Sequence, residues 1–188
     1  AAGAPAGLFQ NLAIRSDKVD ALIADPRIVA VTLTGSEGAG IKVAEAAGRN
    51  LKPVVLELGG SDPFIVMPSA DLGAAVKQAV TARVQNTGQS CICAKRMIVH
   101  ADIYDVFLDR FSAAMRAVRA GDPMDAATDM GPLSSEEQRR TTLDQLDAIQ
   151  RAGGRLLFGG EALPGKGAYM SAGVLVDVPI DHPAAQEE

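Results

Sequence analysis

The stretches IVAVTLT (28–34) and PVVLEL (53–58) are apolar almost without interruption, and GAGIKVAEAAG between them spaces its apolar residues as a helix does and closes on Gly48. Strands read this way when they run parallel in a sheet covered on both faces, because a parallel pair needs a crossover and the crossover helix packs on the sheet. The pattern therefore predicts a strand, helix, strand unit with buried strands. A second unit follows. PFIVM (63–67) reads as a strand, and Ser69 or Asp71 is placed to cap a helix over 71–86 that stops near Gly88. Leu72, Ala75, Val76, Ala79, Val80 and Val84 make one stripe along that helix.

RMIVH (96–100) is the next predicted strand, and 102–119 a helix with Ile103, Phe107, Phe111, Ala114 and Val118 on one side. Ser134 and Glu137 have capping-box spacing ahead of a long helix carrying Leu143, Leu146 and Ile149, and GGRLLFGG supplies a further strand between glycine turns. Strands alternating with helices throughout define the α/β class. The first strand arrives only at about residue 28 and the chain stops at AAQEE, so the sequence reads as a piece of a longer protein. A strand at 28–34 or 53–58 is then expected to leave backbone groups and apolar side chains unpartnered.

Charge narrows the function. A net charge of -5 with 18 Lys and Arg scattered among 23 Asp and Glu argues against nucleic-acid binding, which needs a clustered basic surface. No apolar run approaches the roughly 18 residues of a membrane span, and the N-terminus does not pair a basic region with an apolar one. A cytoplasmic location is expected, with no membrane or nucleic-acid partner. Cys91 and Cys93 are the only cysteines and have no second pair, and His100 and His182 are poorly placed to complete a zinc site, so no metal is expected.

Three stretches are candidates for chemistry. In TLTGSEGAG, Gly35, Ser36, Gly38 and Gly40 put small residues where a helix N-terminus turns free N–H groups outward, a setting for a phosphate. The spacing is not that of the usual dinucleotide fingerprint, and a tight strand-to-helix turn, in which glycine serves backbone shape, is the plainer reading of these glycines taken alone. Glu57 in LELGG ends an apolar strand; burial there would raise its pKa toward that of a general base, whereas a strand-end glutamate reaching solvent is the plainer alternative. Cys91 in NTGQSCICAKR needs a positive or amide-rich setting to act as a nucleophile, which the end of the preceding helix, Lys95 and Arg96 could provide. Its alternative is a small buried hydrophobe.

Taken together, TGS, then ELGG, then NTGQSCICAKR, with 34 residues from Glu57 to Cys91, followed by GDPMDAATDMGPL, resemble the aldehyde dehydrogenase superfamily over essentially the whole chain. Within it the Cys91-Ile92-Cys93 spacing is most similar to the succinate-semialdehyde dehydrogenases. The resemblance implies part of a Rossmann-type cofactor domain over 1–57 and most of an α/β catalytic domain over 58–188. It implies an aldehyde substrate, NAD or NADP as cofactor, and a homo-oligomeric full-length parent. It also implies that Cys91 attacks the aldehyde carbon to give a thiohemiacetal whose oxyanion the Cys91 N–H helps hold. Hydride transfer to the nicotinamide then leaves a thioester, which Glu57 hydrolyses by deprotonating a water. Ser36 would touch the pyrophosphate, Gly35 would leave space beside the nicotinamide, and Leu58 would belong to the same cofactor-binding set. Glu188 matches the acid that holds the nicotinamide ribose.

Departures from the family pattern set further expectations. An upstream oxyanion asparagine and an upstream ribose-binding lysine have no counterpart in these 188 residues, so the chain alone is expected to turn over little aldehyde. The arginine that binds the substrate carboxylate in better-known semialdehyde enzymes, six residues before the nucleophile, is Gln85 here, and Arg83 would face another side of the helix. Other aliphatic aldehydes stay open as substrates. Cys91 and Cys93 are candidates for a strained, easily reduced bond that silences the nucleophile. A non-catalytic product that keeps the fold is the rival reading, and a cysteine hydrolase is disfavoured because no histidine is placed as a base.

Overall fold

A computed structural model describes residues 3–186, so Glu188 lies outside the described residues. The chain divides into two compact units, one ending at Leu58 and the other beginning at Gly59.

In the first unit β1 (Val31–Thr34) and β2 (Val54–Glu57) pair in parallel, joined by α2 (Glu37–Arg49) and preceded by the short α1 (Val19–Ala24). The strand, helix, strand reading of this segment is what forms. Its burial is different from the expectation. Val31, Leu33, Val54 and Leu56 face the helices, while Thr32, Thr34, Val55 and Glu57 are exposed. Only one face of the pair is covered, by Ile23, Ala46 and Ala47 packed with Val19, Val31, Val43 and Val54. Uninterrupted apolar sequence had implied two covered faces; Val29 and Val55 instead remain 77% and 58% exposed. Lys52 ties the end of α1 to the start of β2 by donating from Nζ to the carbonyls of Ile23 and Asp25.

In the second unit β3 (Asp62–Val66) and β4 (Ala94–Val99) are again parallel, with α3 (Leu72–Val84) as crossover. Asp71 is the residue that caps α3, its Oδ1 accepting from the Ala74 N–H at 3.0 Å. Phe64, Val66, Met97 and Val99 turn to one side and meet the stripe of α3 and the apolar side of α4 (Tyr104–Arg116). Phe107 and Phe111 stack with ring centroids 5.6 Å apart at the centre of this core. Each buried side chain of this size contributes about 1.5–3 kcal/mol. Met115, one turn beyond Phe111, is also buried there although the sequence stripe did not include it.

The second layer of this unit is a hairpin-like pair that the periodicity anticipated only by half. β5 (Arg155–Phe158) is the predicted strand; β6 (Val174–Val176), three residues long and antiparallel to it, was not anticipated. α5 (Glu136–Arg151) packs against the glycines flanking β5, where a Cβ at Gly160 would lie 2.8 Å from Leu146 Cδ2. Its N-cap is Ser135, whose Oγ accepts from Gln138 N–H at 3.0 Å. The predicted Ser134–Glu137 capping box does not form, because the Ser134 N–H donates instead to Gln89 Oε1 at 2.9 Å. A four-residue helix, α6 (Pro183–Gln186), ends the described chain.

Candidate functional site

The first unit holds the β1–α2 turn. Ser36 is the N-cap of α2 and its Oγ accepts from the Ala39 N–H at 3.4 Å, while its carbonyl accepts from Gly40 N–H at 2.9 Å. Gly35 donates to the Glu57 carbonyl at 3.0 Å, which locks the turn to the end of β2. At Gly38 a Cβ would meet no atom within 4 Å, so the first turn of α2 is open to a ligand. A 13-residue helix with an exposed first turn suits a phosphate group. Gly40 is required by packing: a Cβ there would lie 2.8 Å from both Leu58 Cδ atoms, so α2 and Leu58 meet directly. Glu57 sits at the last position of β2, opposite Thr34, and its side chain is exposed. The buried setting considered for it is not found within this unit.

The second unit holds the cysteines, on the loop between α3 and β4. The helix ends at Val84, and Asn86, Thr87 and Gly88 then take positive φ values of 52°, 58° and 73° in succession. Three left-handed residues in a row reverse the chain, at a cost for the non-glycine pair that the surrounding bonds must offset. Asn86 Nδ2 donates to the Gln89 carbonyl at 3.2 Å and the Gln89 N–H to the Asn86 carbonyl at 3.1 Å. A second turn follows, closed by Cys93 N–H donating to the Ser90 carbonyl at 3.0 Å. It presents Cys91 to solvent and folds Cys93 inward, where its Sγ lies 3.6 Å from the Gln85 carbonyl oxygen.

Two cations hold this loop from beneath, and they are what reasoning from the sequence resolved least. Lys95 Nζ donates to the carbonyls of Gly60, Ser90 and Cys91, the latter two at 3.3 and 3.4 Å. Arg83 Nη1 reaches the Gly88 carbonyl at 3.4 Å, and a Cβ at Gly88 would come 3.1 Å from Arg83 Cζ. Burial pulls the Arg83 guanidinium below its ordinary pKa, and the neighbouring Cys93 opposes that shift. Arg96 turns away, donating from Nε to Ser61 O at 2.9 Å. Lys95 is therefore the cation that turns toward the Cys91 backbone, while the end of α3 presents terminal carbonyls of the opposite polarity. Only the AKR cluster signalled this, and it did not say which cation turns inward. Two surface clefts, of about 480 and 660 Å³, open elsewhere on this unit, beside Ser112 and beside Val84, and Cys91 lines neither.

A strand, helix, strand turn and an exposed thiol on a carbonyl-pinned loop are the features that a family comparison has to explain. The sequence matches the model of the aldehyde dehydrogenase family over residues 1–188. The chain belongs to that family. This aldehyde dehydrogenase chain is 55% identical over 186 residues to the succinate-semialdehyde dehydrogenase [NADP(+)] of Mycobacterium avium, covering 99% of itself and 39% of that protein. It is 54% identical to succinate-semialdehyde dehydrogenase [NADP(+)] 1 of Mycobacterium tuberculosis, covering 99% of itself and 41% of that enzyme. Among solved structures it is similar to the succinic semialdehyde dehydrogenase of Streptococcus pyogenes in complex with NADP+, with 40% identity and a TM-score of 0.95 over 99% of this chain and 41% of that one. The chain thus spans about two fifths of the length of these relatives.

Proposed function

We propose that this chain carries the nucleophile and the general base of an NADP-dependent oxidation of succinate semialdehyde to the carboxylic acid. Residues 1–57 contribute to the cofactor domain and 58–188 to the catalytic domain. The Cys91 sulfur adds to the aldehyde carbon, and the oxyanion that forms lies by the Cys91 N–H. Bound NADP+ supplies the hydride acceptor. Loss of hydride from the same carbon leaves a thioester on Cys91; water then adds to it, Glu57 takes the proton, and the carboxylic acid departs as the thiolate is restored. Ser36 and the open first turn of α2 hold the pyrophosphate, with Gly35, Leu58 and Glu188 completing the cofactor contacts. Cys93 serves as a redox partner that can close a reversible bond to Cys91.

The observation that carries this reading is the exposed Cys91 thiol on a turn whose carbonyls an ammonium group gathers. An inert structural cysteine would be buried, as Cys93 is. The names of the relatives support the semialdehyde and NADP+. Thiohemiacetal formation needs no cofactor, so it tests the reading directly. Succinate semialdehyde should slow alkylation of Cys91 by iodoacetamide, and butyraldehyde at equal concentration should slow it less. Equal protection by both aldehydes would remove the semialdehyde from the proposal, and no protection by either would remove Cys91 as the nucleophile.

A further inference from the structure

We infer that Lys95 is a positioning residue for the oxyanion donor of Cys91, an inference that rests on the reading of Cys91 as the nucleophile. Pro63, lacking an N–H, interrupts the β3–β4 ladder. The register slips there: Asp62 pairs with Ala94 and Pro63 with Arg96, so Lys95 is the extra residue of a β-bulge. A bulge re-aims the side chain it carries. Lys95 is turned to the nucleophile loop, where its ammonium gathers the Gly60, Ser90 and Cys91 carbonyls.

Gripping the Ser90 carbonyl has a geometric consequence. The Ser90 C=O and the Cys91 N–H belong to one planar trans peptide and point in opposite directions. The oxygen is held by the Cys93 N–H at 3.0 Å and by Lys95 Nζ at 3.3 Å. Fixing it beneath the loop aims the Cys91 N–H outward, where among the described residues no group accepts from it. Preorganisation of such a donor is what stabilises a tetrahedral oxyanion, and the nearby ammonium adds a favourable field.

The test compares two reactions of the Cys91 thiolate in the same chain. With p-nitrophenyl acetate the sulfur adds to the ester carbonyl, the oxygen becomes an oxyanion, and nitrophenolate leaves to give a thioester. With iodoacetamide the sulfur displaces iodide from saturated carbon and no oxyanion arises. Lys95→Met keeps an unbranched side chain without charge or donors. It should lower the acylation rate about 10- to 100-fold while alkylation stays within about 3-fold, a partial loss of what a missing oxyanion donor costs. Lys95→Arg should recover most of the acylation. Equal losses in both reactions, or no loss in either, would overturn the inference, because Lys95 would then be keeping the loop folded or doing nothing for the donor. A parent chain that acylates no faster than Cys91→Ala would overturn the nucleophile reading itself, and this inference with it.

Discussion

Cys93 points its thiol at the Gln85 carbonyl, 3.6 Å away, from a buried position, while Cys91 two residues earlier stands exposed. The same turn thus gives neighbouring cysteines opposite environments. In the folded chain, iodoacetamide should alkylate Cys91 at least tenfold faster than Cys93, and in denaturant the two rates should converge, because access controls thiol reactivity as much as ionisation does (about an order of magnitude is a modest protection factor). Peptide mapping at short times measures the ratio; equal labelling of the folded protein would show that Cys93 is not held inward.

Oxidation tests the proposed partnership of these thiols. Mild peroxide should generate a Cys91–Cys93 bond that mass spectrometry detects and that disappears with reductant, Cys91 passing through the sulfenic acid before Cys93 condenses with it. Cys93 has to leave its contact with Gln85 for this to happen, so the bond should be easily reduced. Accumulation of sulfenic or sulfinic Cys91 alone would end the idea.

Arg83 is a partly buried cation that lies beside the Gly88 carbonyl and the Cys93 thiol, and among the described residues no carboxylate pairs with it. Desolvation without a counter-charge is unfavourable, so Arg83→Met should leave the thermal midpoint unchanged or raise it. The loop it supports should loosen at the same time. Hydrogen exchange at residues 86–93 should accelerate while that of α4 does not; a large fall in midpoint with unchanged exchange would contradict this.

Gly159 has φ +66°, and a Cβ there would lie 1.9 Å from the Ala172 carbonyl oxygen, so the β5–β6 pair cannot accept a side chain at that point. Gly159→Ala should destabilise the second unit by about 3 kcal/mol or more, from left-handed strain and a clash with backbone that has no rotamer to escape into. Urea unfolding followed by circular dichroism measures it.

The Asp25 carboxylate accepts from the Arg27 side chain at 2.6 and 2.9 Å and from its backbone N–H at 2.9 Å, which holds its pKa well below the usual carboxylate range. A depressed folded value means stability that is fully present above the unfolded pKa of about 4 and is lost as pH falls toward the folded one. Asp25→Asn should therefore lower the midpoint of the first unit at pH 7 and flatten its acid-side decline. A variant with an unaltered acid limb would show the pair to be inconsequential, as exposed ion pairs often are.

Most of the fold was legible because its elements are locally specified. The stripes of α3 and α4 pack where their periodicity placed them, and Phe64, Val66, Met97 and Val99 of the two predicted strands meet them. What the sequence concealed depends on partners distant along the chain. Ser134 is drawn to Gln89, forty-five residues away, and leaves the cap role to Ser135, and Val55 is exposed because only one face of its sheet is covered. β6 was too short to announce itself. The strand-to-helix turn at Gly35 and Ser36 and the candidacy of Cys91 could be read from local residues, whereas the inward turn of Lys95 follows from a bulge at Pro63, thirty-two residues earlier, which no local pattern encodes.

A nucleophilic Cys91 forms acyl intermediates, which brief treatment of the folded chain with p-nitrophenyl acetate, followed by peptide mapping, detects. An acetyl group on Cys91, removable by hydroxylamine and absent from Cys91→Ala, is expected. Acetyl groups found only on lysines or on Cys93, and unchanged in Cys91→Ala, would contradict a nucleophilic Cys91.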